Sequence, residues 1–395
     1  MKKNLLFVMP SLSAGGGEKS LVNLLQQIDY NNYNVDLFLF SQTGLFFNTI
    51  PKEVAILDLP LRYIYFTKSF KHSIEHFIKN SQINLAYNRV MFTLKNRYSK
   101  NSDRSEQYTW KFLRSSFDQL EKEYDAAIGY LEKTSIYFVV DKVKAKKKIG
   151  WIHTNYTNSG MDRDFDQYYF NRLDHIITVS EECATALKEN FVELSKKVKV
   201  IYNIVSPKVI NKLSIDNVED VGYSNGVTDI VTVARLSHEK GIDIAIQSCK
   251  ILIEKGYPVR WFVIGEGKER VKLETMIKDL DLTDVFILLG TKENPYPYIK
   301  NADIYVQPSR YEGKSIAIDE AKILNKPIVV TNFKTAKDQI TDGNNGIIVN
   351  QDDESIADGV EILIKDKAQR NILATNLSCE KLGTEEEIEK LYQIF

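Results

Sequence analysis

The sequence predicts an α/β chain whose two halves are each built on a parallel sheet covered by helices on both faces. Three observations predict it. From Asp229 onward, short runs rich in Val and Ile alternate with longer amphipathic segments. Strands buried on both faces read this way, because neither side of the sheet meets water. The amino-terminal half has the same style without a repeat in sequence. The chain of 395 residues, 43% hydrophobic and 27% charged, is also long enough for two or three cores.

In the amino-terminal half, Leu5 to Met9 reads as a buried first strand. The opening Met1 to Pro10 looks like a secretory leader, but its apolar core is only five residues long. Gly15, Gly16 and Gly17 follow, then a helix to about Gln27. Glycines there let backbone approach a ligand, and a helix start offers unpaired N–H groups to an anion. A plain strand-to-helix turn would need the same glycines, and neither the dinucleotide nor the P-loop fingerprint is met. Val35–Phe40 and Val54–Leu57 are the next strands, Asp125–Gly129 another, and Tyr137–Val140 a short helix. The strand Lys148–Ile152 ends in His153, a position where sites form, although a satisfied core imidazole would also fit. Residues 176–180 form a strand, and Ser180 caps a helix from Glu181 to Asn190. Val198–Tyr202 closes the half.

Residues 206–227 are polar and irregular and read as a linker. Beyond them, strands are expected at 230–234, 259–264, 285–289, 303–306, 327–331 and 347–349. Helices are expected at about 242–255, 268–280, 294–300, 315–324, 335–341 and 353–365. Three of the strand ends carry unusual groups. Arg235 and Lys240 flank the turn after the first strand and can converge on a polyanion. Gly265 and Gly267 follow the second strand. Glu312 lies in a turn after the fourth, and Glu320 sits eight positions on, inside a helix. A carboxylate pair suits a polyol, because each accepts hydrogen bonds from vicinal hydroxyls. Arg310 adds a further positive charge nearby.

These residues, in this order, resemble the bacterial retaining glycosyltransferases of family 4. The matching pieces are Gly15-Gly-Gly-Glu18, Val179-Ser180, Ala234-Arg235, Lys240-Gly241, Gly265-Glu-Gly267, and Glu312-Gly through Glu320-Ala. The resemblance implies a GT-B fold, two Rossmann-like domains facing each other across a cleft. It places an acceptor-binding domain at 1–205, rejoined by a carboxy-terminal helix at 381–395, and a donor-binding domain at 206–380. It implies that Arg235 and Lys240 bind the diphosphate of a nucleotide sugar, a uridine nucleotide being the expected carrier. Gly16 and Gly17 would approach that diphosphate, and Gly265 and Gly267 would line the nucleotide site. Glu320 would take the ribose hydroxyls, Glu312 the hexose, and His153 would face the donor sugar. Lys314 and Ser315 depart from the family's Glu-Gly-Phe-Gly-Leu and would adjust sugar recognition, while Gln339 stands where many relatives have glutamate. No resident cofactor or metal is implied. The Asp162-Arg-Asp164 run precedes a helix and reads as incidental, and the three scattered cysteines argue for a reducing compartment and against a zinc site.

Charge points to a partner for the first half. Residues 1–210 carry 29 basic and 22 acidic side chains, and the remainder 23 and 31. Residues 60–114 alone hold eleven basic and three acidic side chains, interleaved with eleven aromatics. Such a surface suits anionic lipid headgroups or single-stranded nucleic acid. An ordinary solvated face is the plain alternative, and no nucleic-acid-binding module is visible. No apolar run reaches the roughly 18 residues of a membrane span. The expectation is therefore a cytoplasmic enzyme, peripheral on the inner face of the plasma membrane. It would extend a lipid-linked glycan with retention, as in capsule, exopolysaccharide or O-antigen assembly. A soluble acceptor, a nucleotide-sugar epimerase and a non-enzymatic binding module are the competing readings, and the oligomeric state is left open.

Overall fold

The computed structural model describes residues 2–13, 15–99, 102–218, 221–222 and 226–395. Lys100 and part of the stretch 206–227 lie outside them. The chain divides into two compact units, one from residues 1–13, 17–202 and 387–395, the other from 203–386 together with 14–16.

The first unit runs β1 (Lys3–Met9), α1 (Gly16–Leu25), β2 (Tyr33–Leu39), β3 (Val54–Ile56), α2 (Leu61–Thr67), α3 (Phe70–Lys79), α4 (Ile83–Tyr98) and α5 (Ser102–Leu113). It continues through β4 (Glu123–Gly129), α6 (Thr134–Lys142), β5 (Lys144–Ile152), α7 (Arg163–Phe170), β6 (His175–Thr178), α8 (Glu181–Asn190) and β7 (Val198–Val200). Its seven strands are ordered β3-β2-β1-β4-β5-β6-β7, every neighbouring pair parallel. Strand order reverses between β1 and β4, and the carboxyl ends of those two strands are where an open α/β sheet takes a ligand. Its main core is aromatic. The Phe38 ring stacks on Phe138 at 4.4 Å, and Tyr63 stacks on Phe117 at 4.6 Å.

Residues 60–114 are a helical excursion between β3 and β4. Helices α2 to α4 enclose a small core of their own, with Phe66, Phe77, Leu85 and Ala86 buried against Ile74 and Phe92. Arg89 lies over the Phe66, Phe70 and Phe92 rings, so this basic residue is built into the packing. The Asp162 carboxylate caps α7, accepting from the Phe165 N–H at 3.1 Å, which gives this aspartate a structural role. Ser180 caps α8 through the Cys183 N–H.

The second unit runs α9 (Pro207–Leu213), β8 (Thr228–Val233), α10 (Ile242–Glu254), β9 (Val259–Ile264), α11 (Arg270–Asp279), β10 (Phe286–Gly290), α12 (Tyr296–Asn301) and β11 (Ile304–Gln307). Then come α13 (Ile316–Ile323), β12 (Ile328–Thr331), β13 (Ile347–Val349), α14 (Asp353–Lys365) and α15 (Lys367–Ser378). The sheet order is β10-β9-β8-β11-β12-β13, all parallel, with the reversal between β8 and β11. Alternate residues feed two cores. Ile230, Trp261, Val263, Ile304, Val306 and Val329 pack under α10, α11 and α14. Val231, Phe262, Ile264, Tyr305, Ile328 and Val330 pack under α12 and α13 on the other face. Burial on both faces is what makes these strands unbroken apolar runs.

Two expectations are corrected here. The stretch read as irregular linker begins with helix α9, started by Pro207 at its first position and anchored by buried Ile210. The helix expected over 335–341 is only a single 3₁₀ turn at Ala336–Asp338. Side chains around it are engaged elsewhere, Thr335 donating to the Glu312 carbonyl and Gln339 to Ser315. The last helix, α16 (Glu387–Tyr392), returns to the first unit. There the Asp29 N–H donates to the Tyr392 hydroxyl oxygen at 2.8 Å, and the Tyr392 ring stacks on Tyr33 at 4.9 Å.

The small core of α2 to α4 is expected to behave as a separable cluster. Phe77→Ala empties a fully buried site and should cost about 3 kcal/mol or more. Hydrogen exchange should then accelerate over residues 61–98 well before the sheet is affected. Uniform acceleration across β1, β2 and β4 would contradict this.

Candidate functional site

At the reversal point of the second sheet, the chain after β8 meets the chain after β11. Glycine decides how closely. A Cβ on Gly241 would lie 2.0 Å from the Pro308 carbonyl oxygen, and the residue holds φ +64°. A Cβ on Gly265 would lie 1.9 Å from the Ala234 oxygen, and one on Gly267 2.2 Å from the Leu236 oxygen. Gly265 and Gly267 were expected to admit a ligand. The structure gives them a nearer duty, letting the β9–α11 loop lie against the β8–α10 loop. That contact is sealed by the Leu236 N–H to the Glu266 carbonyl at 3.0 Å and the Glu269 N–H to the Leu236 carbonyl at 3.1 Å.

Arg235, Lys240, Glu312, Lys314, Ser315 and Glu320 all belong to this mouth or to the helix leaving it. Lys240 Nζ lies 2.6 Å from Glu312 Oε2, with both side chains largely enclosed, 17% and 8% exposed. The other oxygen, Glu312 Oε1, accepts from Ser309 Oγ at 2.8 Å and from Gln307 Nε2 at 3.3 Å. Gln307 Oε1 in turn accepts from the Tyr305 hydroxyl at 2.6 Å. Glu320 is buried in the second turn of α13, and its Oε1 accepts from the Tyr296 hydroxyl at 3.0 Å. Burial, then Glu320, then Glu312 push the Tyr305 hydroxyl far above its usual range. Both glutamates therefore act on one buried tyrosine.

The other cations also face carboxylates. Arg235 is more than half exposed and reaches Glu239 at 3.3 Å. Arg310, expected to add free positive charge, makes a bidentate pair with Asp243 at 2.8 Å on each arm. It also donates to the His238 carbonyl, and so clamps the start of α10 to the chain after β11. Lys314 Nζ lies 3.8 Å from Asp319 Oδ2. Ser315 opens α13, but its N–H is taken by Gln339 Oε1 at 2.9 Å. Gln339 Nε2 returns bonds to the Ser315 carbonyl at 2.7 Å and Asp319 Oδ1 at 2.8 Å. Only an amide can accept and donate in this pattern, which gives a reason for glutamine at 339.

Tyr305, Gln307, Ser309 and Asp243 were not singled out from the sequence. A signal was present for three of them. Positions 305, 307 and 309 are polar at a spacing of two, while 304 and 306 are apolar, so one side of β11 and its extension carries a hydroxyl–amide ladder.

Gly16, Gly17 and His153 were the remaining candidates. Gly16 begins α1, and a side chain there would meet nothing within 4 Å. Gly17 lies over the reversal point of the first sheet, where a Cβ would be 3.1 Å from Leu131 Cδ1 and 3.8 Å from His153 Cγ. The His153 N–H donates to Glu132 Oε2 at 3.2 Å. Desolvation lowers the imidazole pKa to about 3, against a bond to the Tyr130 backbone that raises it. His153 Nε2 is enclosed and has no hydrogen-bond partner within the fold. Desolvation also raises the Glu132 carboxyl beside it. Among the described residues, no group of three or more His, Cys, Asp and Glu could hold a metal ion.

A neutral His153 has a measurable signature. The unfolded chain takes up a proton near pH 6.5 and the folded one does not, so the stability it confers is full above 6.5 and lost as pH falls towards 3. Melting temperatures measured between about pH 4 and 8 are expected to fall less steeply on the acid side in His153→Gln than in the wild type. Equal slopes would contradict the assignment.

With this geometry in hand, similarity to known proteins is informative. Residues 217–377 match the family model described as glycosyl transferases group 1. A poly(ribitol-phosphate) alpha-N-acetylglucosaminyltransferase of Staphylococcus aureus is 26% identical over 275 residues, 64% of this chain and 51% of that protein. The N-acetylgalactosamine-N,N'-diacetylbacillosaminyl-diphospho-undecaprenol 4-alpha-N-acetylgalactosaminyltransferase of Campylobacter jejuni is 26% identical over 218 residues, 55% of this chain and 58% of that protein. The capsular polysaccharide biosynthesis glycosyltransferase CapM of S. aureus is 32% identical over 150 residues, 36% of this chain and 38% of that protein. The chain thus spans about half or less of the length of most curated relatives it matches. Among solved structures, S. aureus TarM in a complex containing UDP superposes with a TM-score of 0.69 at 16% identity, over 99% of both chains. Anabaena HepE with UDP and glucose gives 0.67 at 16% identity, also over 99% of both. WaaG, a glycosyltransferase involved in lipopolysaccharide biosynthesis, gives 0.64 at 13% identity over 99% of both. The fold is that of the GT-B glycosyltransferases, two Rossmann-like domains, and residues 217–377 in the second carry the sequence pattern of glycosyl transferases group 1.

Proposed function

We propose that the protein is a retaining glycosyltransferase. It would move a hexose from a nucleotide-diphosphate sugar, with uridine as the carrier, to a growing cell-surface glycan held on a polyprenyl diphosphate. The observation that carries this reading is the Lys240–Glu312 pair, with Arg235 on the same loop as Lys240, at the reversal point of a sheet within the stretch that matches glycosyl transferases group 1. The lipid-linked acceptor draws support from the C. jejuni relative, whose name specifies a diphospho-undecaprenol substrate.

In this reading Arg235 and Lys240 take the diphosphate and stabilise the charge that develops as it leaves. Glu320, buried on α13, accepts from the ribose hydroxyls, and Glu312 from the hexose. Gly265 and Gly267 set the loop beside the nucleotide, while Lys314 and Ser315 border the sugar. Gly16 and Gly17 offer backbone to the phosphates, and neutral His153 accepts a sugar hydroxyl through Nε2. Glu312 Oε1 is already held by Ser309 and Gln307, and Oε2 by Lys240, so it is a poor candidate for a nucleophile. Attack on the face from which the phosphate departs, with that phosphate taking the acceptor proton, accounts for retention without one. Cationic side chains supply the charge stabilisation, so the reaction is proposed to need no divalent metal.

The acceptor would meet the enzyme at the anionic inner face of the plasma membrane, through α2 to α5. Leu61, Ile83 and Tyr98 are 72%, 62% and 78% exposed there. Lys71, Lys79, Lys95 and Arg97 are exposed on the same helices. No helix among the described residues is long and apolar enough to cross a membrane. Each cation close to such a surface contributes about 1 kcal/mol, so binding would be reversible and salt-sensitive.

Three outcomes follow. Incubation with a panel of labelled nucleotide sugars should give transfer only with a lipid-linked acceptor, and transfer should survive excess chelator. Interconversion of the donor alone, or rescue by manganese alone, would refute the reading. Lys240→Ala should lower turnover more than about 100-fold, roughly 2.7 kcal/mol of transition-state stabilisation. Near wild-type turnover at saturating donor would remove Lys240 from the chemistry. In sedimentation with mixed anionic liposomes, the protein should pellet at low salt and be released at high salt. Changing Lys95, Arg97, Lys100 and Arg104 to Gln should weaken the association, and equal pelleting would refute the membrane contact.

A further inference from the structure

The Lys240–Glu312 pair raises a question that the donor-binding roles alone do not answer. The cation expected to hold the diphosphate is already bound, at 2.6 Å, to the carboxylate expected to hold the hexose. Each can give its full charge to a ligand only at the expense of this contact. Arg235, Arg310 and Lys314 likewise face Glu239, Asp243 and Asp319, so a phosphate entering this mouth competes with a carboxylate for each of these cations.

Resting on the donor site proposed above, we propose that Glu312 is an intramolecular competitor for Lys240. It would make the site hold the intact nucleotide sugar in preference to the nucleoside diphosphate left after transfer. The two carboxylate oxygens have unlike surroundings. Oε1 is fixed by neutral donors, Ser309 Oγ and Gln307 Nε2, which a ligand need not disturb. Oε2 is satisfied by Lys240. When a diphosphate draws Lys240 away, Oε2 is left enclosed and without that donor, which is unfavourable for a nearly buried carboxylate. An intact donor repairs the loss, because a hexose hydroxyl can donate to Oε2 while Lys240 serves the phosphates. A nucleoside diphosphate has no hexose and leaves Oε2 bare. Once the sugar has been transferred, Glu312 reclaims Lys240 and favours release of the spent nucleotide.

The test is a calorimetric titration of the full chain with UDP, GDP and ADP, each alone and as its glucose conjugate, in the wild type and in Glu312→Gln. Glutamine keeps an oxygen for Ser309 and Gln307 but turns an amide N–H₂ towards Lys240, which frees the ammonium. The expected result is opposite movement. The nucleoside diphosphate should bind at least about threefold tighter to the variant, while its glucose conjugate binds more weakly. A plain donor-binding role for Glu312 predicts no gain for the diphosphate. Unchanged or weakened diphosphate binding, or parallel weakening of both ligands, overturns the proposal. If the variant does not fold, the wild type decides: the conjugate must bind more tightly than its own diphosphate, and the reverse order overturns the idea. Absence of any nucleotide binding to the wild type removes the donor site itself, and with it this competition. That outcome is read without the variant, so the two failures are distinguishable.

Discussion

The site of the second unit depends on backbone lying against backbone. Three loops leave the carboxyl ends of β8, β9 and β11, and they touch at glycines where a Cβ would fall 1.9 to 2.2 Å from a carbonyl oxygen. No L side chain other than glycine's hydrogen fits at that distance. Because the loops interlock there, residues as far apart in sequence as Lys240 and Glu312 are brought to hydrogen-bonding distance. The Arg310–Asp243 clamp holds the same two loops together from the outside. Glycine supplies the closeness and the ion pairs supply the register.

Much of this fold was legible in the sequence, and the reason is physical. A strand buried on both faces leaves a continuous apolar signature, and β8 to β13 were read within one or two residues for that reason. The Glu312 and Glu320 spacing was legible too, since a turn residue and a buried helix residue are distinguished by their neighbours. Residues 60–114 were not. Their helices α2 to α4 bury an aromatic core of their own, and an aromatic can as easily face a strand, a helix or a ligand. Their charge density suggested a free cationic surface, but Arg89 is enclosed by three rings and its pKa is lowered by burial. Partner choice was the least legible property. Arg310 looked like one more charge for a phosphate until Asp243, in the first turn of α10, came to lie against it.

The electrostatic character of the mouth follows from those partnerships. It contains many charges and little excess charge, since the cations named here each stand beside a carboxylate. Gln339 adds a neutral version of the same economy by occupying the Ser315 N–H that a bare helix start would offer to an anion. Such a surface does not attract every polyanion that diffuses past. It rewards a ligand able to satisfy the displaced carboxylates as well as the freed cations, and a molecule carrying phosphates and hydroxyls together has both kinds of group.

The return of α16 to the first unit bears on how the chain is made. Tyr392 stacks on Tyr33 and accepts from Asp29, and the Tyr202 N–H donates to Glu387, so the first-formed unit is finished by residues synthesised after the whole second unit. On a ribosome moving at about 5–20 residues per second, residues 203–386 take on the order of ten seconds or more to emerge. For that interval the ring of Tyr33 lacks its stacking partner while an entire second sheet assembles downstream. Nascent-chain quality control therefore meets this protein with a seam open in its first unit.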